Sequence, residues 1–510
     1  MSHSSPSNES PWDNIAMPGA APLRRDARVD VCVVGGGIAG ITTAYLLTRE
    51  GKSVAVLDAG PIGGGETGRT TAHLASAIDD RFAEIERLHG LEGSRICAES
   101  HSGAIDAIER IVREEAIDCD FERLDGYLFQ GEGSPTVPLA EELEAAHRAE
   151  LDQVEMLPRA PLESFDTGPC LRFPRQGQFH PLKYLAALAE AIVREGGRIH
   201  SGSRVQDVEE DDPARILTDD GPAVTADAVV VATNSPINNR FAIHTKQVPY
   251  RTYVIGARVP SAALPHALCW DTLDPYHYVR IAASTDGRPK EEILIVGGED
   301  RKTDDEENNE ERFEALEGWA RERFPMMGDL AFQWSGQVME SVDGVAYIGR
   351  NPGGNSNSYV VTGDSGMGMT HGTIAGLLVT DLVMGRENPW ADLYDPSRIT
   401  LGALGSFLRD GADVVATLGE WFKAGDVESV EEIEPGSGAI VRRGLAKVAA
   451  YRDPDGKLHE RSAACTHLGC VIAWNPIAKS WDCPCHGSRF DPLGRVLNGP
   501  AVEELRRLTS

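Results

Sequence analysis

Positive charge is scarce in this 510-residue chain, which has 49 Lys and Arg residues against 79 Asp and Glu residues. The resulting net charge of -30 argues against binding to nucleic acid or to anionic membranes, because both need clustered Lys and Arg. The N-terminus lacks the basic and apolar pattern of a signal peptide. The most apolar stretch, residues 370–384, is too short to span a bilayer and contains Asp381. We therefore expect no nucleic-acid partner and no transmembrane segment.

Cysteine is also scarce over most of the chain. Five of the nine cysteines stand far apart from one another: Cys32, Cys97, Cys119, Cys170 and Cys269. Scattered single cysteines suit a reducing compartment better than a disulfide scaffold, so we expect a cytoplasmic location. The other four cysteines lie together near the C-terminus.

Residues 29–58, VDVCVVGGGIAGITTAYLLTREGKSVAVLD, predict a buried strand, a glycine turn, a helix and a second buried strand. Gly35 permits the tight turn, Gly37 lets a pyrophosphate approach the backbone, and Gly40 lets the helix pack closely on the strand. Asp58, at the end of the second strand, can accept hydrogen bonds from a ribose. This pattern predicts a dinucleotide site but does not separate NAD from FAD.

Two further glycine-rich segments bear on the cofactor, AGPIGGGETGRTTAHLAS (residues 59–76) and SYVVTGDSGMGMTHGTIAGLLVTDLV (residues 358–383). In this order the segments resemble the D-amino-acid, glycine and sarcosine oxidase superfamily over about residues 29–388. The resemblance implies FAD, with the first glycine loop on the pyrophosphate and the late glycine turn over the isoalloxazine. The further FAD-binding residues that it implies are Arg69, Thr70, Thr71, Val205, Thr233, Gly366, Met367, Gly368 and Met369. The middle of the chain lacks a second G-x-G-x-x-G, so direct reduction by NADH is disfavoured.

Residues 463–490, AACTHLGCVIAWNPIAKSWDCPCHGSRF, contain Cys465-x-His467 and Cys483-x-x-His486. Two thiolates and two imidazoles can hold either zinc or a two-iron cluster. A Cys2His2 zinc site does not explain the second cysteine of each loop, which is Cys470 in the first and Cys485 in the second.

These two loops resemble the disulfide-containing Rieske [2Fe-2S] domains of respiratory cytochrome complexes. The resemblance implies that one iron takes both thiolates, that the other takes both imidazoles, and that Cys470 and Cys485 form the disulfide. Ser488 is retained, but Phe490 stands where the respiratory type has a Tyr hydrogen-bond donor. We therefore predict a lower reduction potential than in the respiratory type.

The chain is divided by these patterns into an N-terminal extension (1–28), an FAD-dependent oxidoreductase unit (29–392), a helical linker (393–426) and a Rieske domain (427–510). We expect an α/β Rossmann-like FAD-binding domain with an interleaved α+β substrate domain, followed by an all-β Rieske domain. Apolar residues at three- and four-residue spacing between 404 and 422 predict an amphipathic interdomain helix rather than a membrane-surface helix. The acidic run at 299–311 predicts a solvated face, with a docking patch for a basic electron carrier as the alternative.

The resemblance implies oxidation of an amine or amino acid at FAD. Electrons would then pass singly to the cluster and on to an external acceptor protein or quinone. An oxygen-using oxidase and a non-catalytic electron-transfer or redox-sensing protein are the alternatives. His73 lies near the histidine that binds FAD covalently in dimethylglycine-dehydrogenase relatives, although a structural role is the default.

The segment DPYHYVRI (residues 274–281) supplies most of the catalytic candidates. Arg280 lies where glycine-oxidase-like enzymes bind a substrate carboxylate, whereas Thr370 replaces a Lys of sarcosine-oxidase-like relatives. The tyrosines could instead reflect alternating strand packing, and a histidine beside the late turn could cap the helix that follows. The candidates are Tyr276, His277, Tyr278, Arg280 and His371.

Overall fold

A computed structural model describes residues 9–131, 139–238, 243–284, 288, 290–303, 309–353, 357–400, 421, 423–444 and 446–508. The helices are α1 (Ile38–Arg49), α2 (Phe82–Glu114), α3 (Leu139–Arg148), α4 (Pro181–Arg194), α5 (Asn309–Arg323), α6 (Gly368–Val383) and α7 (Ala391–Tyr394). The strands are β1 (Ala27–Val34), β2 (Val54–Leu57), β3 (His73–Leu74), β4 (Glu122–Phe129), β5 (Glu155–Leu157), β6 (Cys170–Gln178), β7 (Arg198–His200), β8 (Val205–Glu209), β9 (Ala214–Thr218), β10 (Ala223–Val231), β11 (Gln247–Pro260), β12 (Leu268–Asp271), β13 (His277–Ala283), β14 (Glu291–Lys302), β15 (Leu330–Ser341), β16 (Tyr347–Arg350), β17 (Ser358–Thr362), β18 (Ser437–Arg443), β19 (Ala446–Arg452), β20 (Leu458–Ser462), β21 (Ala473–Asn475), β22 (Ser480–Asp482), β23 (Arg489–Phe490) and β24 (Val496–Asn498).

The first sheet has the order β16-β17-β10-β1-β2-β7, and β8 and β9 extend it from β10. Strands β7, β2, β1, β10 and β17 run parallel, with Val33 of β1 paired to Val56 on one side and to Val230 on the other. Strands buried on both faces read as continuous apolar runs, which is why this part was recognisable in the sequence. The parallel strands bring the first glycine loop and the late glycine turn to the same edge.

The second sheet has the order β15-β11-β14-β13-β12-β4-β6-β3, with β5 beside β6. Its pairs are antiparallel apart from β12 and β4, and helix α5 packs against β11 and β14. Because its strands come from between those of the first sheet, this substrate domain is interleaved with the FAD-binding domain. The predicted fold class is confirmed for this part of the chain.

The C-terminal part is built of two small antiparallel sheets, β18-β19-β20 and β21-β22-β23-β24. Trp481 and Phe490 are fully buried in its core. The all-β prediction is therefore also confirmed. Within the described ranges, no helix combines the length and the apolar character needed to cross a membrane.

The two ends of the oxidoreductase unit were less predictable. Trp12, in the predicted N-terminal extension, is 2% exposed and donates from Nε1 to the carbonyl oxygen of Thr70 at 2.7 Å. This part of the extension therefore belongs to the folded unit. The predicted linker helix falls almost entirely on residues 401–420, which lie outside the described residues. Trp421, at its end, donates from Nε1 to the carbonyl oxygen of Gly469 at 3.1 Å, next to the C-terminal core.

Candidate flavin and iron-sulfur sites

The first glycine loop has the geometry of a phosphate cradle. Gly35 has φ +112°, and a Cβ there would lie 2.3 Å from the carbonyl oxygen of Ala232, so a side chain is excluded. A Cβ on Gly40 would lie 1.9 Å from the oxygen of Gly35, so α1 packs as closely as predicted. Gly37, the N-cap of α1, makes no side-chain cap of its own, and the N–H of Ile38 donates to Oγ1 of Thr67 at 3.0 Å. The N-terminus of α1 lines the cavity, where its dipole favours an anion. Asp58 accepts from the backbone N–H groups of Gly36 (2.5 Å) and Gly60 (2.7 Å).

A cavity of about 650 Å³ begins at this loop and reaches the late glycine turn. The cavity therefore connects the first glycine loop with the late glycine turn, both of which were identified in the sequence. The structure brings most of the predicted cofactor and site residues to its wall: Gly35, Gly37, Asp58, Arg69, Thr70, Thr71, Val205, Thr233, Tyr276, Tyr278, Gly366, Met367, Gly368, Met369 and His371. His73 also lines the cavity.

The late turn lies beside the first loop because α6 packs directly on α1. A Cβ on Gly372 would lie 2.6 Å from Cγ2 of Ile38, and one on Gly376 would lie 2.5 Å from Cγ2 of Thr42. Small residues on α6 therefore let the two helices meet, and their N-termini face the same cavity. The turn itself contains Gly366, whose φ is +72° and whose Cβ would lie 2.1 Å from Oδ2 of Asp79.

Carboxylates and phenols line the cavity near the late turn. The hydroxyl of Tyr276 donates to Oδ2 of Asp79 at 3.3 Å, and the hydroxyl of Tyr278 lies 2.7 Å from Oγ1 of Thr252. Burial raises the pKa of both phenols well above the ordinary value, so both stay protonated at neutral pH. Tyr276 directly precedes β13 and Tyr278 belongs to it, so the two side chains lie two residues apart on one face, and both line the cavity.

Three carboxyl groups at this end have pKa values displaced by burial. Burial raises the pKa of Asp300 to about 7 and the pKa of Asp364 to about 6. It also raises the pKa of Asp79 from its ordinary value. All three residues line the cavity, and Oδ1 of Asp300 has no hydrogen-bond partner among the described residues. Removing these carboxylates from water without a cation disfavours their charged form, which is the physical cause of the shifts.

His371 lines the cavity, but both of its ring nitrogens are engaged inside the protein. Nδ1 lies 2.9 Å from the carbonyl oxygen of Asp364, which can only accept, so Nδ1 carries the proton. Nε2 then accepts from Nε2–H of His101 at 3.2 Å. Burial lowers the pKa of His371 to about 4 and that of His101 well below the ordinary value, so both rings are neutral. The pair fixes the late turn, and neither nitrogen of His371 is available to a substrate.

Arg280 and His277 do not line the cavity, contrary to the sequence-based expectation. The guanidinium of Arg280 donates to the carbonyl oxygens of Thr71 (3.0 Å) and Ala72 (2.8 Å). It also lies 5.5 Å from the ring of Trp12, so it holds the cofactor loop from behind. Nδ1 of His277 lies 2.9 Å from Oδ2 of Asp271. Alternation along β13 explains the position of His277, because successive side chains point to opposite faces of a strand. Arg280 shares the face of Tyr278, but its guanidinium is taken up by the carbonyl oxygens of Thr71 and Ala72.

The predicted solvated acidic face is wrong at its beginning. Glu299 is buried, 3.4 Å from Nε2 of His277 and 3.3 Å from a guanidinium nitrogen of Arg312. Asp300 faces the cavity. Both residues belong to β14, a strand that the charge run concealed in the sequence. Residues 304–308 of the run lie outside the described residues.

Two loops of the C-terminal domain present the predicted cluster ligands. They are closed in the same way, since Cys465 N–H donates to Cys470 O and Cys483 N–H donates to Ser488 O, each at 2.8 Å. Each loop turns at a glycine with positive φ, +80° at Gly469 and +77° at Gly487. This shared geometry presents one cysteine and one histidine from each loop on the same side.

The thiols and imidazoles of the two loops converge. The rings of His467 and His486 lie 4.9 Å apart, and Cys470 and Cys485 are joined by a disulfide. The disulfide removes two thiols from the set, so Cys465 and Cys483 are the free thiols of these two loops, and their side chains contact each other. Two thiolates and two imidazoles are the donors that a Rieske [2Fe-2S] cluster requires, so the residues fit that group.

The C-terminal domain packs directly on the cavity wall. Gln337 lines the cavity, and its side chain donates from Nε2 to the carbonyl oxygen of Gly487 at 3.1 Å and accepts from Nδ2 of Asn498 at 3.0 Å. A guanidinium nitrogen of Arg489 lies 3.2 Å from Oε1 of Glu66. The ring of His244 lies 5.1 Å from that of His467. The cluster loops therefore face the FAD-binding unit.

Residues 30–382 match the family described as FAD dependent oxidoreductase (DAO), and residues 420–509 match the Rieske [2Fe-2S] domain family. The chain is a DAO-family oxidoreductase with a fused Rieske domain. The DAO domain binds FAD, and the Rieske domain binds a [2Fe-2S] cluster. The glycine cradle and the Cys2His2 donor set of this DAO–Rieske chain fit those two groups.

Relatives with known names share this arrangement in whole or in part. Protein YhfW of Bacillus subtilis (strain 168), named as a Rieske 2Fe-2S iron-sulfur protein, is 32% identical over 498 residues, 96% of each chain. Gamma-glutamylputrescine oxidoreductase of Escherichia coli (strain K12) is 28% identical over 380 residues, 71% of this chain and 85% of its own. Glycine oxidase from Geobacillus kaustophilus has the same fold, with a TM-score of 0.59 at 19% identity, over 73% of this chain and 99% of its own.

Several residues of the DAO–Rieske site were missed in the sequence. Asp79 and His101 carry no motif, and they reach the cavity region only through tertiary contacts. Gln337 lies in the middle of a strand, without any distinguishing pattern. Asp364 lies within the late glycine turn that was identified in the sequence. Its carboxylate, next to a turn expected to face the flavin, was the available signal that it belongs to the site.

Proposed function

We propose that the chain oxidises a cationic amine at FAD and passes the electrons singly to its own Rieske cluster. FAD, when bound, accepts a hydride from the carbon next to the amine nitrogen, which leaves an imine for hydrolysis by water, and the cluster carries one electron at a time. The protein residues must therefore bind the amine, accept a proton from its ammonium form, and keep the cluster close to the cofactor cavity.

The acidic end of the cavity is the observation that carries the amine proposal. Asp79, Asp300 and Asp364 line the wall beside the late turn, where they favour a cation over an anion. Arg280, the expected carboxylate-binding group, does not line the cavity, and its guanidinium is bound to the carbonyl oxygens of Thr71 and Ala72. An α-amino acid would have to bring its carboxylate against these acids. The E. coli relative named for gamma-glutamylputrescine supports the same substrate class.

Asp300 is our candidate for the proton acceptor. Hydride transfer needs a neutral amine, and amines arrive as ammonium ions at neutral pH. A carboxyl group whose pKa is raised to about 7 is well matched to take up that proton. Tyr276 and Tyr278 stay protonated, so we assign them to orienting the acids and shaping the wall rather than to proton transfer.

The contact between the cavity wall and the cluster loop supports the electron outlet. We propose Cys465, His467, Cys483 and His486 as the cluster ligands. Gln337 joins the cavity to Gly487, the residue after His486, by one hydrogen bond. The final acceptor would be an external protein or quinone. The burial of five unpaired cysteines supports a cytoplasmic location, since none of them needs an oxidising environment.

An anaerobic titration tests this function with a matched pair of compounds, 1,4-diaminobutane and ornithine, which is the same diamine carrying a carboxylate. Flavin absorbance and cluster EPR are followed together. We expect the diamine to bleach the flavin at lower concentration than ornithine and a Rieske signal to grow afterwards. Asp300→Asn should weaken the response, whereas Asp455→Asn, at an exposed position of the Rieske domain, should leave it unchanged.

Other outcomes would favour the two alternatives. If a panel of amines and amino acids leaves the flavin oxidised while dithionite reduces both centres, the protein is an electron-transfer or redox-sensing protein. If the amine is oxidised in air with one peroxide formed per turnover, and the cluster stays oxidised, the protein is an oxidase. A stronger response to ornithine than to the diamine would overturn the cationic-amine proposal alone.

A further inference from the structure

The cofactor cavity is closed partly by the Rieske domain. Its lining includes residues of one short segment of that domain, residues 496–502, which contains β24 and the turn after it. The lining residues of this segment are Leu497, Asn498, Gly499, Ala501 and Val502. An FAD site in a free-standing oxidoreductase unit would have no such wall, so this contribution is specific to the fused chain.

The 496–502 segment is fixed to the part of the cavity where the adenosine half of FAD is expected. Its Val496 carbonyl oxygen accepts from Arg204 at 2.5 Å, and Arg204 precedes Val205, the residue expected beside the adenine. At Gly499 a Cβ would lie 3.1 Å from Cγ2 of Ile237, so the segment sits tightly against the unit. Asn498 holds the other side through Gln337.

The exposed side chain of Leu497 lies on the cavity wall, which makes it a candidate contact for the cofactor. Its side chain is 51% exposed although it lies on the cavity wall. A single exposed leucine is ordinary on a protein surface, but this one borders the space that a planar, apolar base face would fill. Covering it would remove apolar surface from water, which is favourable by about 25 cal/mol per Å².

We propose that the Rieske domain completes the FAD site, with Leu497 packing against the adenosine half of the cofactor. FAD then contacts both domains at once, so FAD binding and the docking of the Rieske domain stabilise each other. Linkage makes this reciprocal, because the factor by which docking strengthens FAD binding equals the factor by which FAD strengthens docking. This inference does not depend on the substrate or on the direction of electron flow.

The test is the release of FAD from the full-length holoenzyme, followed by flavin fluorescence after dilution. Leu497→Ser should raise the dissociation constant roughly tenfold, the factor expected for losing about half the burial of a leucine side chain. Leu508→Ser is the matched control, because Leu508 is 40% exposed in the same domain and does not line the cavity. It should leave FAD binding unchanged.

Hydrogen exchange on the unmodified chain provides the second measurement. Backbone amides of the 496–502 segment should exchange more slowly with FAD bound than after FAD is removed, whereas those of β20, in the other small sheet of the domain, should not change. Equal FAD dissociation constants for the two leucine variants would overturn the proposal. So would amide exchange rates in the 496–502 segment that are the same with and without FAD. Unchanged cluster EPR in Leu497→Ser would show that the domain itself remains folded.

Discussion

Replacing Asp482 by Asn should destabilise the contact between the oxidoreductase unit and the Rieske domain by about 3 kcal/mol, the lower end of the range for breaking a buried ion pair. Asp482 is 3% exposed and pairs with Arg251 of β11, which is 4% exposed. Arg489 also lies 3.3 Å from it. The lower end of that range applies because Arg489 still forms an ion pair with Glu66 at 3.2 Å after the substitution, so Arg251 is the cation that loses its carboxylate partner.

The pKa of Asp482 agrees with this account. Burial alone would raise the pKa, but Arg251 and Arg489 outweigh it and hold the pKa below its ordinary value of 3.8. A carboxyl group with a depressed folded-state pKa stabilises the fold above its ordinary pKa, and that contribution is lost as the pH falls below it. The wild-type contact should therefore weaken below about pH 4, and the Asn variant should lack this part of the pH dependence.

Urea unfolding followed by the visible circular dichroism of the cluster measures the effect. Asp455→Asn is the control, because this exposed residue should change the free energy of unfolding by no more than about 0.5 kcal/mol. Adding Arg251→Met to Asp482→Asn should restore part of the loss, since the unpaired buried charge is then gone. Equal unfolding free energies for the Asp482 and Asp455 variants would refute the reasoning.

Three further predictions concern the two redox sites. Gly366→Ala should leave far-UV circular dichroism unchanged but slow flavin bleaching at least about tenfold. The reason is that a Cβ there would lie 2.1 Å from Oδ2 of Asp79 at a φ of +72°. Bleaching at the wild-type rate would contradict this prediction. Phe490→Tyr should raise the midpoint potential in an EPR titration by roughly 60 mV, a one-electron shift corresponding to ~1.4 kcal/mol, and an unchanged potential would reject a missing donor. Amine affinity should rise between pH 6 and pH 8 as Asp300 ionises near 7, and Asp300→Asn should flatten this dependence in a binding titration.

The cofactor-binding elements could be predicted because each depends on a short segment. The turn at Gly35, the close packing at Gly40 and the two cysteine–histidine loops follow from local backbone geometry and local spacing. The substrate end could not be predicted in the same way. Asp79 and Tyr276, which form a hydrogen bond, are 197 residues apart. The acidic run containing Asp300 gave the wrong expectation, because charge in a sequence indicates solvent only on average, and a strand that borders a cavity is an exception.

Local sequence was enough to indicate a dinucleotide site and a site with two thiolates and two imidazoles, because backbone turns and ligand spacing are local properties. The family resemblance then identified the two groups as FAD and a [2Fe-2S] cluster. Tertiary structure decided which groups face the substrate and how the two redox sites meet. Strand alternation turned His277 away from the cavity while Tyr276 and Tyr278 faced it. Tertiary contacts with Thr71 and Ala72 took up the guanidinium of Arg280. Docking brought Arg489 to Glu66 across 423 residues and placed Leu497 on the cofactor cavity. Such contacts arise from the packing of whole sheets, which no short segment encodes.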